Sequence, residues 1–143
     1  MTIAALITWL ITALGGFYLL GTWLSRGGIR QQQSRTSRFP APVIFGHFLL
    51  AAAGLIVWII YVVAHTKALA WAAFVILLPV ALLGFTMFFR WIGVYRATPA
   101  AVPAAASTDV VPAERHLPVP VVLAHGALAA TTLVLVLLAA IGV

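Results

Sequence analysis

Phe39-Pro-Ala-Pro-Val-Ile-Phe-Gly-His47-Phe-Leu-Leu-Ala-Ala and Leu117-Pro-Val-Pro-Val-Val-Leu-Ala-His125-Gly-Ala-Leu-Ala-Ala align without a gap at a constant offset of 78, residue 117 against residue 39. Identical pairs include Pro40/Pro118, Pro42/Pro120, Val43/Val121, His47/His125, Leu50/Leu128, Ala51/Ala129, Ala52/Ala130 and Leu55/Leu133. Matches of Ala and Leu are common in any apolar sequence. Two prolines and a histidine in register are not, because ionisable side chains are rare in membrane-spanning segments. A weaker echo at an offset of 68 joins Ala13/Ala81, Leu14/Leu82, Gly16/Gly84, Phe17/Phe85 and Trp23/Trp91. Together the two offsets predict a duplicated helical hairpin.

Working outward, the 143 residues are 64% hydrophobic and 7% charged, with a mean hydropathy of +1.17. A soluble domain carries about 25% charged residues, so this composition excludes a water-facing surface. Segments 3–24, 41–64, 68–89 and 119–143 are each long and apolar enough to cross a hydrocarbon core about 30 Å thick. The expected fold is therefore an all-α membrane protein, a four-transmembrane-helix bundle forming a single domain. The first segment lacks a positive n-region, so it is expected to be a retained helix rather than a signal peptide. The chain has no cysteine, which excludes disulfides, thiolate nucleophiles and CxxCH attachment of haem.

Arg26, Arg30, Arg35 and Arg38 lie between the first and second segments; Arg90, Arg96 and Arg115 lie at the end of the third or in the loop after it. Lys67 alone marks the short turn between the second and third. The positive-inside rule places both long loops in the cytoplasm and both termini outside, as in a multi-pass plasma membrane protein. The net charge of +6 thus reflects topology and not nucleic-acid binding. Trp9, Trp23, Trp71, Trp91 and Tyr95 are expected as anchors at the bilayer interfaces. The loop over 97–117, rich in Ala and Pro, is expected to be mobile and cytoplasmic.

Because two crossings separate them, the second and fourth helices run in the same direction, and His47 and His125 come level. Each lies about 10 Å beyond its first proline at 1.5 Å per residue, and the Pro-x-Pro pairs suit a first helical turn, where a missing N–H is no loss. An ionisable residue within the bilayer faces the bundle interior and points to function. Two imidazoles approaching from opposite sides supply both axial ligands of a haem iron, so His47 and His125 are the expected metal ligands. Small residues leave space for a flat ring. They are Gly46, Ala51 and Gly54 beside His47, Ala124, Gly126, Ala129 and Thr132 beside His125, and Gly15, Gly16 and Gly84 at the same depth. Arg90, at the inner end of the third segment, is the best-placed cation for an anionic propionate, with Arg26, Arg38 and Arg115 as further candidates. His65 lies about 27 Å beyond His47, and its repeat position is Val143, so one haem is expected rather than two.

This arrangement resembles the small membrane-embedded b-type cytochromes, including the haem-carrying anchors of quinone-linked dehydrogenases. The resemblance covers the four helices and rests on the two histidines and their small neighbours. It implies one non-covalent haem b and electron exchange with a quinone pool or a docked redox subunit. It also allows a role as a non-catalytic subunit of an oxidoreductase complex, and a homo-oligomer. Trp91, Tyr95 and Arg90 suit a quinone headgroup, and belt and anchor roles explain them equally. Two other readings stay open: a cofactor-free accessory or assembly subunit in which the histidines bond across the bundle, and a copper or proton transporter. A stand-alone hydrolase has no basis, since Asp109 and Glu114, the only acids, both fall in the last loop and cannot orient a buried histidine.

Overall fold

The computed structural model describes residues 1–97 and 111–143. Helix α1 (Thr2–Ser25) is followed by one helical turn, α2 (Arg30–Gln33). Then come α3 (Ala41–Ala64), α4 (Lys67–Arg96), a 3-10 turn (Ala113–His116) and α5 (Val119–Ile141). No strand occurs among the described residues. The helices α1, α3, α4 and α5 are the four long and apolar enough to span a membrane. Large apolar side chains such as Leu14, Val63 and Leu82 stand 69%, 78% and 68% exposed on the outside of the bundle, as they do where the surroundings are hydrocarbon.

Local chemistry sets most of the boundaries. α3 and α5 start from Pro40 and Pro118 as N-caps, each with a second proline in the first turn. α5 stops two residues before the apolar run does, because Gly142 takes a left-handed φ of +92° and closes the helix, the usual glycine C-terminal signal. α4 runs seven residues past the apolar segment, from Phe89 to Arg96. Hydropathy ends at Arg90, but arginine is a good helix former, and Trp91 and Val94 on this extension are buried.

The helices that pack most extensively are not those of the duplicated hairpins. α3 lies against α4 and α1 against α5, while α1 and α3 touch far less. Two apolar clusters result. One holds Ala5, Trp9, Trp58, Ala73, Leu77, Val136 and Ala140, and the other, at the Arg-rich end, holds Trp23, Phe39, Ile44, Trp91, Ala113 and Leu117. Along α3, His47 falls between Ile44 of the second cluster and Trp58 of the first.

Three of the five expected interfacial anchors are core residues instead. Trp9, Trp23 and Trp91 are 3%, 2% and 4% exposed, whereas Trp71 and Tyr95 are 40% and 50% exposed. Hydropathy cannot say which face of an apolar helix turns inward, and a bundle of four thin helices needs bulky side chains to fill its interior. The mobile loop expected over 97–117 falls largely on residues 98–110, outside the described residues. The stretch from Val111 to Leu117 is packed, not loose. The Gln31 side chain donates to the Val111 carbonyl at 3.0 Å and accepts from the Ala113 N–H at 2.9 Å. The fully buried Glu114 accepts from the Phe39 N–H at 2.8 Å and from the Ser37 hydroxyl. α2 and the 3-10 turn thereby form a cap across the Arg-rich end.

Candidate functional site

His47 projects from α3 and His125 from α5, and their ring centres are 6.3 Å apart with ring planes inclined at 58°. Each ring is held from the neighbouring helix of its own tight pair. The His47 Nδ1–H donates to the Val80 carbonyl on α4 at 2.9 Å, and the His125 Nδ1–H donates to the Thr12 carbonyl on α1 at 2.9 Å. A carbonyl can only accept, so the proton sits on Nδ1, and in the neutral imidazole Nε2 is left with the free lone pair. This is the arrangement that orients metal-ligating histidines, with one ring nitrogen bonded to a carbonyl and the other turned to the metal.

The repeat is exact at this site. Val80 and Thr12 are separated by 68 residues, the same offset that relates Gly84 to Gly16. Each glycine lies four residues after its carbonyl. A Cβ at Gly16 would lie 3.1 Å from the His125 Cε1, and one at Gly84 would lie 3.3 Å from the His47 Cε1. The immediate neighbours of these glycines are therefore the imidazoles. Their missing side chains let each ring reach a carbonyl that a helix normally screens.

The other expected small residues sort differently. Gly15 lies against the His125 ring, where a Cβ would be 3.6 Å from Nδ1, and Gly46 faces Leu83. Gly54 serves the apolar cluster, since a Cβ there would come within 3.1 Å of both Ile76 and Trp9. Gly126 faces open space. Ala51 is packed against the same cluster as Gly54. Thr132 is buried and bonded to the Thr8 hydroxyl at 3.0 Å and to the Leu128 carbonyl at 2.8 Å. A groove of about 450 Å³ lies between α1 and α5, with Gly15, Ala124 and His125 among its walls. No residue of α3 or α4 lines it, so it flanks one histidine and is not the space between the two.

Arg90 stands six residues beyond Gly84, about 9 Å toward the Arg-rich end. It is exposed, and one guanidinium N–H donates to the Arg38 carbonyl at 2.9 Å. Arg115 likewise donates to the Ala97 carbonyl at 2.9 Å. His65 caps α3 in a left-handed conformation and His116 lies in the 3-10 turn, both exposed and outside the hydrogen bonds that hold the pair. Sequence reasoning found the two histidines and the two glycines but missed the carbonyls of Thr12 and Val80. The available signal was a glycine four residues downstream of each, in a repeat whose carbonyl-bearing residues themselves differ.

The chain matches no known protein family, no curated protein and no solved structure. Its chemistry must therefore be read from the site. Among the described residues, no group of three or more His, Cys, Asp or Glu converges. Two imidazoles with free Nε2 atoms could hold a metal whose remaining ligands come from elsewhere, as in a cofactor that brings its own nitrogens. Metal–imidazole bonds are about 2.0–2.1 Å long. With about 1.1 Å more from each nitrogen to its ring centre, collinear imidazoles on one metal put their ring centres about 6 Å apart. The observed separation of the ring centres, 6.3 Å, matches that spacing in distance.

Proposed function

We propose that this protein is a membrane electron-transfer subunit of the plasma membrane, carrying one non-covalent haem b with His47 and His125 as its axial ligands. It exchanges electrons with a quinone pool or a docked redox subunit. The observation that carries this reading is the pair of level imidazoles, 6.3 Å apart, each pinned through Nδ1 to a backbone carbonyl. A bis-histidine haem supplies one-electron exchange at an iron with no open position for a substrate.

The chain's own residues do the rest. The carbonyls of Thr12 and Val80 fix the tautomer and aim of each ring, Gly16 and Gly84 let the rings in, and the apolar clusters above and below exclude water. Arg90 keeps guanidinium N–H groups beyond the one bonded to Arg38, and these suit an anionic propionate. In the rival reading, a cofactor-free accessory subunit, the same two bonds from each histidine to a carbonyl of a neighbouring helix are the histidines' whole role, and a purified protein without pigment favours it.

The test is a reduced-minus-oxidised visible spectrum of protein purified from cells supplied with a haem precursor. Sharp reduced bands and one haem per chain are the expected result. Colourless protein, or an unchanged spectrum in His125→Ala, would refute the proposal.

A further inference from the structure

We propose that Arg26, Arg30 and Ser34 form a binding site for a phosphate group at the Arg-rich membrane surface, independent of the histidine pair. The site is a pocket of about 280 Å³ lined by Arg26, Gly27, Arg30, Gln31 and Ser34. It opens immediately beyond Ser25, the last residue of α1, at the Arg-rich end of a helix long and apolar enough to span a membrane.

Its backbone is fixed before any ligand arrives. Gly27 takes a left-handed φ of +82°, and the N–H of Gly28 bonds back to the Trp23 carbonyl at 3.0 Å. Gly28 lies directly on the Trp23 indole, where a Cβ would be 2.2 Å from the ring. The Gln31 N–H bonds the Gly27 carbonyl at 3.0 Å, and the Gln31 side chain, 7% exposed, is tied to Val111 and Ala113. The reversal between α1 and α2 is thus anchored from both sides. The Arg30 guanidinium folds over Gly27, with Nη2 at 3.5 Å from where a Cβ would stand, and so shares the pocket with Arg26.

The two arginines differ from Arg90 and Arg115, each of which is tethered through one guanidinium N–H to a backbone carbonyl. Among the described residues, neither Arg26 nor Arg30 meets a carboxylate, and Glu114 is turned inward to Ser37 and Phe39. Two guanidiniums on one small pocket repel each other until an anion lies between them. Their planar forks match phosphate oxygens bidentately, and the Ser34 hydroxyl, which donates to the Gln31 carbonyl at 3.3 Å, would turn to the phosphate as a third donor. The phosphate can belong to an anionic phospholipid or to a free phosphate, because the surface of the positive-inside leaflet offers both.

Thermal unfolding followed by tryptophan fluorescence separates these sources, since Trp23 sits directly behind the pocket. We expect the full chain to unfold several degrees higher in phosphatidylglycerol-containing nanodiscs than in pure phosphatidylcholine, as preferential binding to the folded state requires. The shift should vanish in Arg26→Gln/Arg30→Gln, shrink in Arg26→Lys/Arg30→Lys, and persist in Arg35→Gln, which lies outside the pocket. Protection by phosphatidylglycerol but not by millimolar inorganic phosphate assigns the site to lipid; equal protection by inorganic phosphate in phosphatidylcholine assigns it to a soluble phosphate. No shift with either probe, or a full shift retained in the double glutamine variant, would overturn the proposal.

Discussion

The half of the bundle that holds His47, α3 with α4, and the half that holds His125, α1 with α5, agree in what touches the imidazole and differ in what lies one layer away. Both supply a carbonyl at 2.9 Å and a glycine four residues after it. Beyond that layer, the His125 half carries a polar patch: Thr132 bonds Thr8, and the Thr12 hydroxyl bonds the Thr8 carbonyl at 2.7 Å. At the offsets of 78 and 68, the positions equivalent to Thr132, Thr8 and Thr12 are Gly54, Ile76 and Val80, so the His47 half is apolar there. Gly54 instead receives Trp9 from the other half. Beside the rings, Gly15 and Ala124 leave a groove next to His125, whereas their counterparts Leu83 and Gly46 meet each other on the His47 side, with 3.8 Å from the Leu83 Cδ1 to a Gly46 Cβ. In the layer around the rings, the two halves are alike where an imidazole needs its tautomer and its space.

The most severe way to break the equivalence is to remove one ring. His47→Ala and His125→Ala are each expected to abolish the bis-histidine spectrum entirely, because one axial ligand cannot produce it, while His65→Ala and His116→Ala leave it unchanged. Absorbance of each purified variant checks this, and a pigment that survives in only one of the first two would show that the halves are not equivalent.

The glycines grade the same comparison more finely. Gly16→Ala places a methyl 3.1 Å from its imidazole and Gly84→Ala one at 3.3 Å. Both contacts are tight enough to push the ring, at a cost of about 1–3 kcal/mol for overpacking. The haem-to-protein ratio should fall in both variants, and further in Gly16→Ala. Equal and full occupancy would reduce these glycines to helix packing.

Away from the rings, Gly54→Ala pits a methyl against Trp9 and Ile76 and is expected to destabilise by about 1–3 kcal/mol. Its counterpart change, Thr132→Val, removes one interhelical hydroxyl bond, worth about 0.6 kcal/mol within a membrane bundle. Unfolding titrations in mixed micelles would show whether the apolar half is the less forgiving one. The smallest effect belongs to Gly126→Ala, where the new methyl meets nothing within 4 Å and stability should stay within about 0.5 kcal/mol.

Much of this was legible because the code for spanning helices is simple. Long apolar runs and paired prolines define α3 and α5 to within a residue or two, and the repeat marks His47 and His125 as a pair at one depth. The groups that hold those rings were not legible. A backbone carbonyl carries no residue identity, so Thr12 and Val80, which share no side-chain chemistry, play one role without leaving a common letter. The burial of Trp9, Trp23 and Trp91 was equally hidden, since a uniformly apolar helix has little periodicity to show which side faces its neighbours. The cap was missed for the opposite reason. Glu114, Gln31 and Ser37 look like loop residues until residues some 80 positions apart meet and satisfy one another's hydrogen bonds.

The sequence by itself determined the number of crossings, their boundaries near the prolines, the Arg-rich end and the shared level of two histidines, because hydrophobic length, proline geometry and charge act locally along a chain. Only the tertiary structure decided that α1 pairs with α5 and α3 with α4, that each imidazole is aimed by the helix beside it, and that the loops at the Arg-rich end fold into a cap. Those outcomes depend on which apolar face meets which, and in a chain this uniformly greasy that choice is made by shape and by the few buried hydrogen bonds.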